Sequence, residues 1–183
     1  MSLIAIAPPQ YSVLLDIRYA TADNITGAPV YKRAAAYLHA DAARLLDQAI
    51  GLAAQLGYRL KIFDAFRPTE AQWALWNHTP DPNYFADPRR GSPHSRGVAV
   101  DLTLVDQAGR ELDMGTGFDA LTPLSHHGCL DIPAPAQLHR AILLGIMTAA
   151  GWDFYRNEWW HYQMFDARRY PLLADSDAGS AMM

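Results

Sequence analysis

The sequence predicts an α+β fold in a single domain, an antiparallel sheet with flanking helices. Three observations carry that expectation. Short segments of period-two apolar patterning are separated by turns. Stretches of helical periodicity are gathered apart from them. The steady strand–helix alternation of a doubly wound sheet is missing. No glycine-rich nucleotide loop is present, so dinucleotide chemistry has no support. A chain of 183 residues, 50% hydrophobic, can bury one well-packed core and would be crowded as two domains.

Residues 11–19 read as a strand or extended segment, followed by the turn-rich Asp23-Asn24-Ile25-Thr26-Gly27. Residues 40–56 read as a helix, because Ala42, Leu45, Ala49, Leu52 and Leu56 recur at three- and four-residue steps and Gly57 supplies a stop. A strand follows over 58–63, with Tyr58, Leu60 and Ile62 on its apolar side. Asp64-Ala65-Phe66-Arg67-Pro68 leaves that strand. Pro68 has its φ fixed where a helix can begin, so a second helix is expected over 69–76, with Arg67 aimed from the junction. Residues 77–93 carry four prolines and form a long loop of the kind that borders active sites. Residues 98–104 alternate as a strand, 106–110 as a hairpin-like turn, 136–150 as a third helix ended by Gly151, and 160–165 as the last strand. The stretch from Ala174 is small and polar, and is expected to fray.

Composition excludes several classes. The formal charge of −4 comes with no basic stripe, and the Arg89-Arg90 pair is too small to meet a nucleic-acid backbone. Cys129 is the sole cysteine, which rules out an intrachain disulfide. No run of 18 apolar residues offers a membrane span. The opening stretch Met1–Gln10 lacks the basic flank of a signal peptide, so a cytoplasmic location is expected. Periodicity does not separate an oligomer interface from core, and no oligomeric partner is assigned.

Two clusters carry chemistry. In Ser92-Pro93-His94-Ser95-Arg96-Gly97-Val98-Ala99-Val100-Asp101, alternation puts Asp101 on the face opposite the valines, and Gly97 lets the chain turn so that His94 can stand beside it. In Glu158-Trp159-Trp160-His161, a histidine on the last strand comes with a spare carboxylate. If those faces meet, His94, Asp101 and His161 form a His/Asp/His set that leaves a zinc ion one open position, with Glu158 as a possible base. Each histidine alone reads as a surface or hydrogen-bonded residue. Asp101 is more pointed, since an ionised carboxylate in an apolar strand needs a metal or a salt bridge to arginine. His126 and His127 are adjacent, so their side chains diverge, and they read as turn or supporting residues.

Taken together, these landmarks resemble the D-alanyl-D-alanine dipeptidase family, the VanX-type zinc peptidases of peptidase family M15, grouped with DD-carboxypeptidases and hedgehog signalling domains. The resemblance runs from Asn24-Ile25-Thr26-Gly27 to Phe165. It rests on Asp64-Ala65-Phe66-Arg67-Pro68, on Ser92, His94, Gly97, Ala99 and Asp101 at their spacing, on Leu112-Asp113-Met114-Gly115-Thr116 with Phe118-Asp119, and on Glu158-Trp159-Trp160-His161. It implies a hedgehog/DD-peptidase-like fold, a zinc dipeptidase domain over 1–173 with a flexible tail at 174–183, and one Zn2+ on His94, Asp101 and His161. It further implies Glu158 as general base and acid, Arg67 stabilising the reacting centre, Asp64 supporting it, Ser92 near the substrate carboxylate, and Asp119 at the substrate amine with Asp113 as the alternative. The implied substrate is free D-Ala-D-Ala, and members are associated with glycopeptide resistance and with dipeptide salvage. Two other readings remain: a zinc carboxypeptidase or endopeptidase on cell-wall peptides, and a catalytically silent metal-binding interaction domain. Neither nucleic acid nor membrane is an expected partner.

Overall fold

In the computed structural model, which describes residues 3–183, the chain is organised on a five-stranded sheet. The first two residues of the opening stretch Met1–Gln10 lie outside the described residues. Strands β1 (Leu3–Ala5) and β3 (Tyr37–His39) pair antiparallel in a small separate ribbon. The main sheet contains β2 (Val13–Leu15), β4 (Arg59–Asp64), β5 (Ala99–Val105), β6 (Asp153–Phe154) and β7 (His161–Gln163), in the order β2-β4-β5-β7-β6. Helices α1 (Ala40–Gln55) and α3 (Ala134–Ala149) pack beside it, while α2 (Thr69–His78) follows β4 and the short α4 (Asp175–Ala178) closes the chain. The α+β expectation holds, with one refinement. β2 lies parallel to β4, because the connection between them passes through β3 and α1 and returns the chain in its original direction.

The helices form where sequence period and punctuation agree. His39 caps α1, its Nδ1 accepting from the Asp41 amide at 3.1 Å, and Gly57 ends the turn at a φ of +80°. The buried face of α1 is Ala42, Ala43, Leu46, Ala49 and Ala53, rotated from the face expected on leucine spacing; Leu56 is 59% exposed. Alanines at the contact let the helix approach the sheet closely, which leaves Leu45 and Leu52 to flank the seam. Pro68 caps α2 as expected. α3 begins two residues before the expected 136, with Pro135 in its first turn.

β5 is the central strand, and all seven of its residues are buried. Val100, Leu102 and Leu104 face the apolar core, each contributing roughly 1.5–3 kcal/mol by leaving water. The opposite face carries Asp101 and Thr103, equally shielded. The alternation therefore separates core from a buried site, not core from solvent.

The segment after Ala174 differs from the expected frayed tail. α4 forms, Met182 is fully buried, and the Met182 carbonyl accepts from the Lys32 amide at 2.7 Å. Asp175 gathers the Met182 amide at 2.9 Å and the Ser180 hydroxyl. Just upstream, Leu173 joins the amide of Thr69 to the carbonyl of Ser95, beside the site. A polar composition read as solvated is instead consumed by local hydrogen bonds.

Candidate active site

Register and one irregularity bring three acidic or basic groups into a row. β5 and β7 are antiparallel with Asp101 directly opposite His161. β4 and β5 are antiparallel too, and a shift between Ile62 and Asp64 sets Asp64 opposite Asp101. Bulges of this kind re-aim a side chain at a strand end. The third ligand comes from a 3-10 turn, His94–Arg96, closed by Gly97 at a φ of +68°. Gly97 also has no room for a Cβ, which would stand 2.7 Å from a Leu3 methyl and 3.2 Å from the His39 amide nitrogen.

His94, Asp101 and His161 converge, with one ligand atom from each lying within 4.8 Å of the others. Hydrogen bonds outside the cluster fix both imidazole tautomers. His94 Nδ1 meets the Ala65 carbonyl at 2.7 Å, so it is the N–H and Nε2 carries the lone pair. His161 Nε2 meets Gln163 Oε1 at 3.0 Å, so Nδ1 is free. The two free nitrogens are 3.1 Å apart. Asp101 oxygens lie 3.0 Å from His161 Nδ1 and 3.3 Å from His94 Nε2. Three acceptors aimed at one point repel unless a cation or a proton sits between them. Zinc ligands at about 2.0–2.1 Å would stand about 3.3 Å apart on a tetrahedral edge, so the donor set fits a divalent ion. Without the ion, burial works against charge on Asp101, but His94 and His161 hold its carboxyl far below the usual range. Burial lowers and Asp101 raises His161, with a net rise.

Arg67 lies behind this cluster, held on two edges. Its Nε donates to Asp64 Oδ2 at 2.8 Å and its Nη1 to Gln72 Oε1 at 3.1 Å, leaving Nη2 at a long 3.4 Å from Asp101. Both readings of Asp101, metal ligand and arginine partner, therefore meet at one carboxylate. Tyr31 donates to the other Asp64 oxygen at 2.8 Å, and the Tyr19 ring lies under the guanidinium at 4.9 Å. Burial opposes the Arg67 charge, but Tyr19, Asp64, Tyr31 and Asp101 outweigh it and the group stays cationic. Asp64 is raised, chiefly by burial.

A cavity of about 180 Å³ opens over these groups. Glu158, Ser92 and Asp119 all line it. Glu158 is buried, with an oxygen 3.9 Å from His161 Nδ1, and no side chain among the described residues hydrogen-bonds its carboxylate. Burial, reinforced by Asp101 and Asp119, pushes its carboxyl up to about 8 against the pull of His161 and Arg67. Ser92 Oγ accepts from the His94 amide at 3.2 Å, which leaves its hydroxyl proton free. Asp119 accepts from Tyr19 at 3.0 Å and the Ile25 amide at 3.4 Å, and its backbone is held at a φ of +59°. Burial raises it to about 7, though Arg67 pulls it down. Asp113, the alternative, turns away: it accepts from the Gly115 amide at 2.7 Å and lines a different cavity. His127 packs on Phe154 and Tyr162, outside the cavity lining.

Sequence reasoning missed Tyr19, Tyr31 and Gln72, for which no local signal exists. Gln163 lies two residues beyond His161 on the same strand, and its residue type alone assigns it no task. The proline-rich loop does border the cavity, contributing Pro82, Tyr84, Phe85 and Ala86.

Fold and donor set together define a buried His/Asp/His centre, able to hold a divalent metal, at the floor of a small cavity. Comparison with known proteins gives the family. The D-ala-D-ala dipeptidase family of M15 peptidases matches residues 6–176, and the chain belongs to it. It is 47% identical over 161 residues to the D-alanyl-D-alanine dipeptidase of Escherichia coli (strain K12), covering 88% of this chain and 83% of that protein. It is 36% identical over 172 residues to the D-alanyl-D-alanine dipeptidase of Streptomyces coelicolor, covering 81% and 84%. With the enzyme of that name from Enterococcus faecalis the identity is 34% over 177 residues, 85% and 88% of the two chains.

Proposed function

We propose that this protein is a zinc-dependent dipeptidase that hydrolyses D-Ala-D-Ala to two D-alanines. The observation that carries the reading is a single small cavity lined by the ligand set, Glu158, Arg67, Ser92 and Asp119 together. Drug-sized sites occupy about 300–1,000 Å³, so about 180 Å³ suits a ligand of a dozen or so heavy atoms. The names of the relatives supply the substrate, and the two-nitrogen, one-carboxylate donor set supports zinc.

His94, Asp101 and His161 would hold the ion, which supplies Lewis acidity: it acidifies water and polarises a carbonyl. Glu158 accepts a proton from the attacking water as oxygen adds to the carbonyl carbon. It then delivers that proton to the amide nitrogen as the C–N bond breaks. A buried carboxyl with a high proton affinity suits both transfers. Arg67 turns Nη2 toward the oxygen that gains negative charge. Because that charge exists only in the transition state, the contact favours kcat. The Asp119 carboxylate receives the substrate ammonium, and that cation favours the ionised form which burial opposes. Ser92 Oγ–H donates to the substrate carboxylate.

The test is amine release from free D-Ala-D-Ala and from N-acetyl-D-Ala-D-Ala by zinc-loaded protein. Cleavage confined to the free dipeptide is expected. Cleavage of the blocked compound would move the assignment to a carboxypeptidase or endopeptidase, and zinc binding without any cleavage would support a silent domain.

A further inference from the structure

The buried face of α2 contains Ala71, Gln72 and Leu75. A glutamine among apolar neighbours, 1% exposed, is unfavourable unless both ends of its amide are satisfied. Both are. Oε1 accepts from Arg67 Nη1 at 3.1 Å, and Nε2 donates to the Ala86 carbonyl at 2.7 Å. Ala86 belongs to the loop that walls the cavity, so one side chain joins the guanidinium to the cavity's wall. The loop has a second anchor, where Tyr155 Oη and Asn157 Nδ2 both donate to the Asn83 carbonyl, at 2.9 and 3.3 Å.

We infer that Gln72 is a positioning residue that fixes the plane of the Arg67 guanidinium and ties it to the loop that lines the cavity. Asp64 holds one edge of Arg67 firmly, while Asp101 meets Nη2 only at a long 3.4 Å and the Tyr19 ring touches its face, contacts that leave a planar fork able to swing about the one firm edge. Gln72 holds the second edge, so Nη2 has one direction left. Only an amide serves, since it offers an acceptor to Arg67 and a donor to Ala86 at once. Glutamate would keep the acceptor but set an oxygen against the Ala86 carbonyl. Leucine would provide neither. The inference rests on the reading of Arg67 as the group that meets the developing oxyanion.

Two variants separate the two halves of the clamp in zinc-loaded protein. Gln72→Leu should lower kcat for D-Ala-D-Ala on the order of 10²-fold at unchanged zinc content, the loss typical of a misaimed catalytic group. Gln72→Glu should keep most of kcat and raise KM about fivefold, the equivalent of one neutral hydrogen bond to the wall. Two measurements need no turnover. Side-chain ¹⁵N NMR should show slow guanidinium rotation at Arg67 in the parent and fast rotation in Gln72→Leu. Amide hydrogen exchange over residues 80–91 should quicken in both variants. A parent protein inactive on the dipeptide would sink the proposed function, and rotation and exchange would still decide the clamp. Slow Arg67 rotation and a protected loop in Gln72→Leu would overturn the inference. So would a lowered Tm with parental kcat, the mark of a merely structural glutamine.

Discussion

Asp119→Asn should stabilise the metal-free protein at pH 8 and destabilise it at pH 4. The wild-type carboxyl is raised from 3.8 to about 7, chiefly by burial, so the folded state holds its proton more tightly than the unfolded chain does. The sign follows. The stability contributed by this group is complete below pH 3.8 and is lost as pH rises through about 7. At about 1.4 kcal/mol per tenfold change in proton affinity, the loss approaches 4 kcal/mol, reduced by the water that reaches the cavity. Asparagine carries no such dependence. It keeps an acceptor for Tyr19 but turns its amide toward the Ile25 N–H, which gives up a weak bond worth about 1 kcal/mol. The variant should therefore be less stable by about half a kcal/mol at pH 4, cross the wild type between about pH 4 and 5, and gain up to about 3 kcal/mol by pH 8. Urea unfolding of both proteins in chelator, at half-unit steps of pH, reads the difference directly. A difference that stays flat from pH 4 to 8 would refute the argument that burial holds a proton on Asp119. The same variant should raise KM for the dipeptide when zinc is restored, because the carboxylate that receives the ammonium is gone.

Four further outcomes follow from the same geometry. Glu158→Gln should keep full zinc content and lower kcat by about 10²–10⁴-fold, and retained turnover would remove Glu158 as the base. Arg67→Ala should depress kcat by about 10²–10³-fold with little change in bound metal, as measured by steady-state kinetics beside elemental analysis. Gln163→Leu frees the His161 ring and its tautomer, so competition with a chelator should show zinc held about 10–100-fold more weakly. Zinc binding near pH 7 should release protons, since the ion replaces those held by Glu158 and Asp119; calorimetry in buffers of different ionisation enthalpy would count them, and no release would contradict the raised affinities.

The elements legible in the sequence were those that announce themselves locally. α1, α2 and α3 had a helical period bounded by glycine or proline, and β4 and β5 were long enough to show alternation. β1, β3 and β6 span two or three residues, too few for a period, and exist only because another strand pairs with them, a distant one for β1 and β3 and the neighbouring β7 for β6. The site divides the same way. His94, Asp101, Glu158 and His161 were readable as chemistry-bearing residue types in unusual settings, yet the pairing of Asp101 with His161 depends on a register that no local pattern encodes. Tyr19 and Tyr31 look ordinary in sequence because their importance is the identity of a partner far along the chain, and Gln72 because a glutamine near an arginine carries no pattern of its own. The tail was misread for the opposite reason. Its small polar residues satisfy one another around Asp175, so composition alone suggested solvent where the chain supplies the partners itself.

Charge explains why these residues form one site and not a set of separate ones. Asp64, Asp101, Asp119 and Glu158 bring four carboxyl groups into a region where, among the described residues, Arg67 is the one permanent cation, and burying that excess ionised is prohibitive. The metal-free chain meets the imbalance by proton uptake, which is why Glu158 and Asp119 titrate near or above neutrality while Asp101, between two imidazoles, stays ionised. In the proposed function, a divalent ion on the histidines and Asp101, with a substrate ammonium beside Asp119, would supply the missing positive charge. Each would then lower the cost of ionising the remaining carboxyls. The proposed mechanism needs Glu158 ionised as its base, so filling the site would also bring that carboxylate into its working protonation state. On that reading, the acidic excess of the cavity is what would make it selective for a metal and a cationic substrate end.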